Sequence, residues 1–143
     1  MSTHALNPAV TYETAARTVE IAIGEAARQG VLAVVTVVDP SLTPIAYGKA
    51  DGAPPHSVET SRRKAFTAAS TRRPSALLSR ELAVALEHGT GGLLTGIAGG
   101  VPLRFDGVHV GGLGIAGGTP AQDQQIAVAV LAALGADAAE EQA

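Results

Sequence analysis

Residues 99–123 constrain the fold more than any other segment of the chain, because turn and strand signals follow one another there without a gap. Within this segment, Asp106 and Gly107 separate two apolar runs, residues 101–105 and 108–115. An Asp-Gly dipeptide readily adopts the positive φ angles that a tight hairpin turn requires. The sequence therefore predicts a β-hairpin over residues 101–115.

The second strand of this hairpin is rich in glycine, with Gly111, Gly112 and Gly114. Glycine weakens a strand intrinsically, and it is tolerated where the strand bulges or where another group approaches the backbone closely. A ligand or a neighbouring subunit would be such a group.

A helix is predicted directly after the hairpin. Thr119 is a suitable N-cap residue, Pro120 suits the first helical position, and Gln122 completes a capping box. The run that follows, residues 126–134, is apolar on nearly every face, so another element or another subunit must cover it. We predict a homo-oligomer, and a central position of this helix within one subunit is the alternative.

Composition excludes several classes of function. The net charge of −3, with only two tyrosines and two phenylalanines, gives no attraction to nucleic acid. The chain has no cysteine, which excludes disulfides, thiolate nucleophiles and thiolate metal sites. The N-terminus lacks the pattern of a secretory signal, and no run approaches the roughly 18 apolar residues of a membrane span. We expect a cytoplasmic protein that binds neither nucleic acid nor membranes.

Apolar spacing and the positions of proline and glycine predict the other elements. They are a helix at 12–30, strands at 31–38 and 44–49, helices at 57–69 and 75–86, and a strand at 93–98 before the hairpin. Antiparallel hairpins beside terminal helices indicate an α+β fold, with a five-stranded antiparallel sheet flanked by helices. We expect one domain over residues 12–134, an N-terminal extension at 1–11 and a frayed tail at 135–143.

Three histidines are candidates for chemistry: His56, His88 and His109. They are separated by 32 and 21 residues, without the short spacings of a metal site, so we predict no site built from protein metal ligands. A surface or turn role is the default for each. His56 is the first candidate for proton transfer or for ligation of iron, because it lies in the loop that enters a basic helix, and His88 is the second.

Three blocks of the chain resemble the GlcG/HbpS family, also called the haem-degrading domain family, which includes the C-terminal domain of PduO-type proteins. The blocks are VVD at 37–39 with IAYGKADGA at 45–53, RKAFTAAS at 63–70, and GGVPLRFDGVHVGGLGIAGG at 99–118 with QD at 122–123. The resemblance spans residues 12–134. It implies a profilin-like fold, oligomeric assembly, and the binding of haem with degradation or sensing.

The chain departs from the family pattern at several positions. Haem-binding relatives use a histidine from the first helix as an iron ligand, whereas residues 12–30 contain none. Leu42 stands where the family usually has a glycine, and Lys49-Ala50 stand where it has Arg-Met. Without an axial ligand from the first helix, haem would be held by contacts to its propionates and by burial.

Lys64 and Asp51 match positions typical of the family. A solvated cationic face is the simpler interpretation of Lys64, which follows Arg62 and Arg63. The functional interpretation is an anion site, in which Lys64 with Lys49 or Arg62 holds a carboxylate, assisted by backbone N–H groups of the glycine loops. The residues predicted to bind the ligand are Lys49, Arg62, Lys64, Gly99, Gly100, Gly114 and Gly117.

Two functional hypotheses follow, with a purely structural assembly module as a third. In the first, the chain is an oligomer that binds haem or a related tetrapyrrole, with Lys49, Asp51, His56 and Lys64 around the pocket. In the second, it is a cofactor-independent isomerase, lyase or hydratase for a small carboxylated or enolisable metabolite. Lys64 would then hold the acid group, His56 or Asp51 would move protons, and the glycine loops would stabilise an oxyanion.

Overall fold

The computed structural model describes residues 1–141. They form four α-helices, a short 3-10 helix (Ser75–Leu77) and four β-strands. The helices are α1 (Tyr12–Arg28), α2 (Ser57–Thr71), α3 (Arg80–Gly89) and α4 (Pro120–Leu134), and the strands are β1 (Val34–Val38), β2 (Pro44–Lys49), β3 (Gly100–Phe105) and β4 (Val108–Ala116). The α+β class predicted from the sequence is confirmed.

Local signals account for the ends of the helices. The predicted capping box of α4 is confirmed, because the Thr119 side chain accepts from Gln122 N while the Gln122 side chain accepts from Thr119 N. The predicted helix at 75–86 is instead divided into the 3-10 turn and α3. Ser79 causes this division, since it is extended and its hydroxyl accepts from Leu82 N at the start of α3.

The sheet has the order β2-β1-β4-β3, with antiparallel neighbours throughout. The predicted hairpin is confirmed, and Asp106 and Gly107 have φ angles of 50° and 79° in its turn. Every residue of β1 is buried, because α2 covers one face of the sheet while α1 and α4 cover the other. The layering is consistent with the profilin-like arrangement that the resemblance implies.

The sheet has four strands and not the predicted five. Residues 93–98 form no strand, because side chains from elsewhere bind their backbone. Thr95 N donates to Thr67 Oγ1 at 2.8 Å, and Gly96 N donates to Glu87 Oε1 at 3.3 Å. The amides that a fifth strand would offer to a neighbour are therefore already used.

The glycines in the middle of β4 are covered by α2 of the same chain. A Cβ atom at Gly114 would collide with Ser61 O, and one at Gly112 would collide with Ala65 O. A Cβ at Gly100 of β3 would likewise collide with Lys64 O. The group that approaches this backbone is thus the helix itself, and the glycines allow it to lie directly on the sheet.

Both segments outside residues 12–134 touch the sheet. Val10 is buried, and its N–H donates to Val110 O at 2.9 Å. Asp137 accepts from Asp106 N at 3.2 Å and from Gly107 N at 2.8 Å, so it fastens the hairpin turn. The last two residues of the predicted frayed tail, 142 and 143, lie outside the described residues. Within the described part, no helix combines the length and apolarity that a membrane crossing requires.

Candidate functional site

A cavity of about 400 Å³ lies where the first turn of α2, the end of β4 and the start of α4 meet. Two helix N-termini therefore point toward one space, and each carries a partial positive charge. The lining residues that matter most for its chemistry are His56, Thr60, Lys64, Gly117, Gly118 and Asp123.

An ion pair forms the buried side of this cavity. Lys64 Nζ donates to Asp123 Oδ2 at 2.9 Å and to Ile115 O at 2.8 Å, and both charged side chains are only 2% exposed. The second carboxylate oxygen, Asp123 Oδ1, accepts from Gly118 N at 2.9 Å. The pair thus connects α2, the end of β4 and the start of α4, and holds the intervening loop in place.

The electrostatic balance of the pair is set by burial and by charge. Burial lowers the pKa of the Lys64 ammonium, and the nearby Asp123 carboxylate opposes this shift. Removing one partner of a buried ion pair leaves an uncompensated charge, which is far more costly than replacing both partners by apolar groups. Perturbed ionisable groups in a cavity are also a common mark of a functional site.

One stripe of α2 faces the cavity. His56, Thr60 and Lys64 recur every four residues, which places them one above the other on a helix. Thr60 Oγ1 donates to His56 O at 2.9 Å. His56 is the exposed N-cap residue of α2, and its side chain makes no capping hydrogen bond. Among the residues that the structure describes, its ring has no hydrogen-bond partner, and it lines the cavity.

A second cavity of about 400 Å³ adjoins the first, and the two share His56, Thr60 and Ile97. Glu87 forms part of its wall and accepts from Thr95 Oγ1 at 2.6 Å. Arg63 also lines it, and Arg63 Nε donates to Glu59 Oε1 at 3.1 Å. The two cavities together form a groove that passes over the first two turns of α2.

The structure brings some of the sequence-predicted residues to this groove. His56, Lys64 and Gly117 line the first cavity. Gly99 adjoins the ion pair, since a Cβ atom there would lie 3.0 Å from Lys64 Nζ and 2.9 Å from Asp123 Cβ.

Other predicted residues lie elsewhere. Lys49 and Asp51 are exposed at and beyond the end of β2, and neither lines the two cavities. The Arg62 guanidinium donates to Glu59 Oε1 at 2.8 Å and lies 5.2 Å from the centre of the Phe66 ring. Gly100 and Gly114 lie beneath α2, as described above. Neither Lys49 nor Arg62 joins Lys64 at the cavity. Lys64 instead forms an ion pair with the carboxylate of Asp123.

The residues that sequence reasoning missed are Asp123 as the partner of Lys64, and Thr60. The spacing of four residues from His56 through Thr60 to Lys64 is a signal that would have found one helical face. No local signal pairs Lys64 with Asp123, which is 59 residues further along the chain.

His88 and His109 do not line either cavity. His88 is exposed in the last turn of α3. His109 is buried under the end of α2, with Nε2 2.9 Å from Ala69 O, and burial lowers the pKa of its imidazole.

Known proteins resemble this chain in sequence and in fold. The family model described as haem degrading protein HbpS-like matches residues 10–132. No protein with a curated description matches the chain.

Several solved structures are similar to this one. A double mutant of Streptomyces reticuli HbpS shares 32% identity, with 94% of this chain and 93% of that chain covered and a TM-score of 0.83. A PduOC:heme complex shares 28% identity, with 92% and 99% covered and a TM-score of 0.83. The Klebsiella pneumoniae protein ORFY shares 24% identity, with 94% and 97% covered and a TM-score of 0.84, which shows a common fold.

Proposed function

The chain belongs to the HbpS-like family of haem degrading proteins, and from this premise we propose that it binds haem or a related tetrapyrrole in the groove over the first turns of α2. The observation that carries the proposal is the groove itself. It combines a buried ion pair at one end with a free imidazole at its mouth. A solved haem complex with the same fold supports the choice of ligand.

The size of the groove suits such a ligand. Pockets for cofactors and other small molecules usually measure about 300–1,000 Å³ and are lined mainly by apolar groups. Each of the two adjoining cavities measures about 400 Å³. The apolar wall belongs to the first cavity, where Pro54, Ala116 and Pro120 join Ile97, whereas the second is lined mainly by polar and charged side chains. A flat macrocycle can therefore extend from the Lys64 end along the groove.

The hydrogen-bond donors at this end of the groove suit the propionate groups of haem, although Lys64 and Asp123 together form a neutral pair. An ammonium group carries three N–H donors, and Lys64 uses two of them within the described residues, on Ile115 O and Asp123 Oδ2. The carboxylate of Asp123 is itself compensated by Lys64 and by Gly118 N. The third N–H of Lys64 and the N-termini of α2 and α4 are then available to a propionate.

A bound haem supplies a redox-active iron, whose behaviour depends on the axial ligand, nearby hydrogen bonds and the exclusion of water. The part of this chain is to hold and orient the macrocycle. Lys64 and the start of α4 would hold one edge of the macrocycle, and Thr60 and Ile97, which line both cavities, would contact it. Lys49, Asp51 and Arg62 lie outside the lining and do not enter this proposal.

The proposal is tested by titrating haemin into the purified protein and following the Soret band. Thr60→Phe fills the shared part of the groove, so it should weaken binding at least about tenfold, or about 1.4 kcal/mol. Ser70→Phe is the matched control, because Ser70 is exposed further along the same helix. The wild type and Ser70→Phe should bind alike. No Soret shift in the wild type, or equal binding by Thr60→Phe, would contradict the proposal.

A second candidate is a cofactor-independent isomerase, lyase or hydratase that acts on a small carboxylated or enolisable metabolite. The specific observation in its favour is that the burial-shifted Lys64, its partner Asp123 and the imidazole of His56 line one cavity. Lys64 would hold the acid group and His56 would move the proton. Calorimetry with small carboxylic acids distinguishes the two functions, since only this candidate predicts heat of binding that Thr60→Phe removes while haemin causes no Soret shift.

We also propose that the protein is a homo-oligomer. Val128 on the outer face of α4 is 46% exposed, and Ala132, one helical turn further on, is exposed on the same face. Part of this apolar helix is therefore left uncovered, and a second copy of the chain would cover it. Light scattering tests this, with a mass of two or more chains expected and a mass of one chain as the contrary result.

A further inference from the structure

We propose that His56 supplies the nitrogen ligand to the iron of the bound haem in this chain. The inference rests on the proposed function and adds the residue that would bind the metal. Imidazole is a common axial ligand of haem iron, and the ring nitrogen that binds the iron must be accessible and not engaged in another hydrogen bond.

The backbone holds His56 in a defined position. The residue follows Pro54 and Pro55, whose rings fix their φ angles near −65°. Ser57 N donates to Pro54 O at 3.0 Å, which closes a tight turn around the histidine. Pro54 lines the cavity beside His56. The imidazole is therefore presented at the mouth of the groove from a stiff loop.

The other histidines of the described chain are engaged or placed elsewhere. His109 is buried against Ala69 O, and His88 is exposed on α3 away from both cavities. His4 lies in the exposed N-terminal segment, with Nδ1 3.4 Å from Thr3 Oγ1. His56 is the histidine that lines both cavities.

The spacing between His56 and Lys64 suits one macrocycle. Eight residues of α-helix rise about 12 Å. Helical side chains point back toward the N-terminus, so the long Lys64 side chain brings its ammonium closer to the first turn of α2. One tetrapyrrole can then place its iron near the imidazole and a propionate near the ammonium.

The test compares haemin binding by the wild type, His56→Gly and His88→Ala. Because His56 is exposed, its removal should leave the fold intact, which circular dichroism verifies. His56→Gly should bind haemin at least about tenfold more weakly and with a displaced Soret band, and added imidazole should restore the wild-type spectrum. His88→Ala should behave like the wild type.

The outcomes separate this inference from the proposed function. If the wild type shows no Soret shift, haem binding itself is wrong. If the wild type binds haemin but His56→Gly gives the same affinity and the same spectrum, the assignment of His56 is overturned while haem binding stands. Loss of the wild-type spectrum in His88→Ala alone would also overturn the assignment.

Discussion

The two ends of the contact between α2 and β4 each bury one ionisable side chain, but in different surroundings. Lys64 reaches from α2 to the end of β4, where it meets the Asp123 carboxylate and lines a cavity. His109 reaches from the start of β4 to the end of α2, where it meets a backbone carbonyl. Within the described residues, His109 Nδ1 has no hydrogen-bond partner.

Burial alone does not distinguish the two ends. Burial lowers the pKa of both groups. Of the two, Lys64 has a compensating charge and lines a cavity, whereas His109 lines neither of the two cavities described above. We therefore place the proposed binding role at the Lys64 end and interpret the His109 end as packing.

The largest expected effect is at the Lys64 end. Lys64→Met leaves the Asp123 carboxylate buried without its cation, which should lower the free energy of unfolding by about 3–5 kcal/mol. Urea unfolding measures this change. The double variant Lys64→Met with Asp123→Leu should recover most of the stability, because it removes both charges together.

The same double variant also tests ligand binding. It should be folded but should bind haemin more weakly than the wild type, because the propionate has lost its ammonium donor. A single Lys64→Met variant as stable as the wild type would show that the ion pair does not contribute to the free energy of unfolding.

An intermediate effect is expected in the middle of the interface, where α2 lies on glycine. Gly114→Ala places a methyl group against Ser61 O and 2.7 Å from Ala65 N, so it should lower the free energy of unfolding by about 1–3 kcal/mol. Gly24→Ala is the matched control, because a Cβ there has open space within α1. It should raise the stability by up to about 1 kcal/mol. Similar free energies of unfolding for the two variants would contradict the close contact between α2 and β4.

The smallest effect is expected at the His109 end and depends on pH. The pKa of His109 is lower in the folded state than in the unfolded state, so the unfolded state binds a proton first as the pH falls. The stability due to the neutral ring is complete above the unfolded pKa of about 6.5 and declines as the pH falls toward the folded value. His109→Leu should flatten this decline between pH 7 and pH 5, as urea unfolding at each pH would show; an unchanged slope would contradict the buried neutral ring.

Elements with local signals were predictable from the sequence. The hairpin followed from Asp106 and Gly107, whose positive φ angles are what its turn needs. The start of α4 followed from Thr119 and Gln122, which cap each other. The false fifth strand at 93–98 shows the limit, because Thr67 and Glu87, distant in the sequence, take up the amides of that segment.

The candidate site was predictable only in part, for the same reason. Lys64 and His56 were named from residue type and position, and both line the cavity. The partner of Lys64 depends on how α4 packs near α2, and no local sequence pattern predicts that packing. The glycines of β4 suggest the close approach of a ligand or a subunit. At Gly112 and Gly114 the backbone of α2 occupies that space instead.

A crystal structure of the protein grown with haemin would show directly where the macrocycle binds. We predict that the macrocycle lies over the first turns of α2, with a propionate at the Lys64 and Asp123 pair and the iron at His56. A macrocycle bound elsewhere on the protein, with only solvent in this groove, would contradict the account.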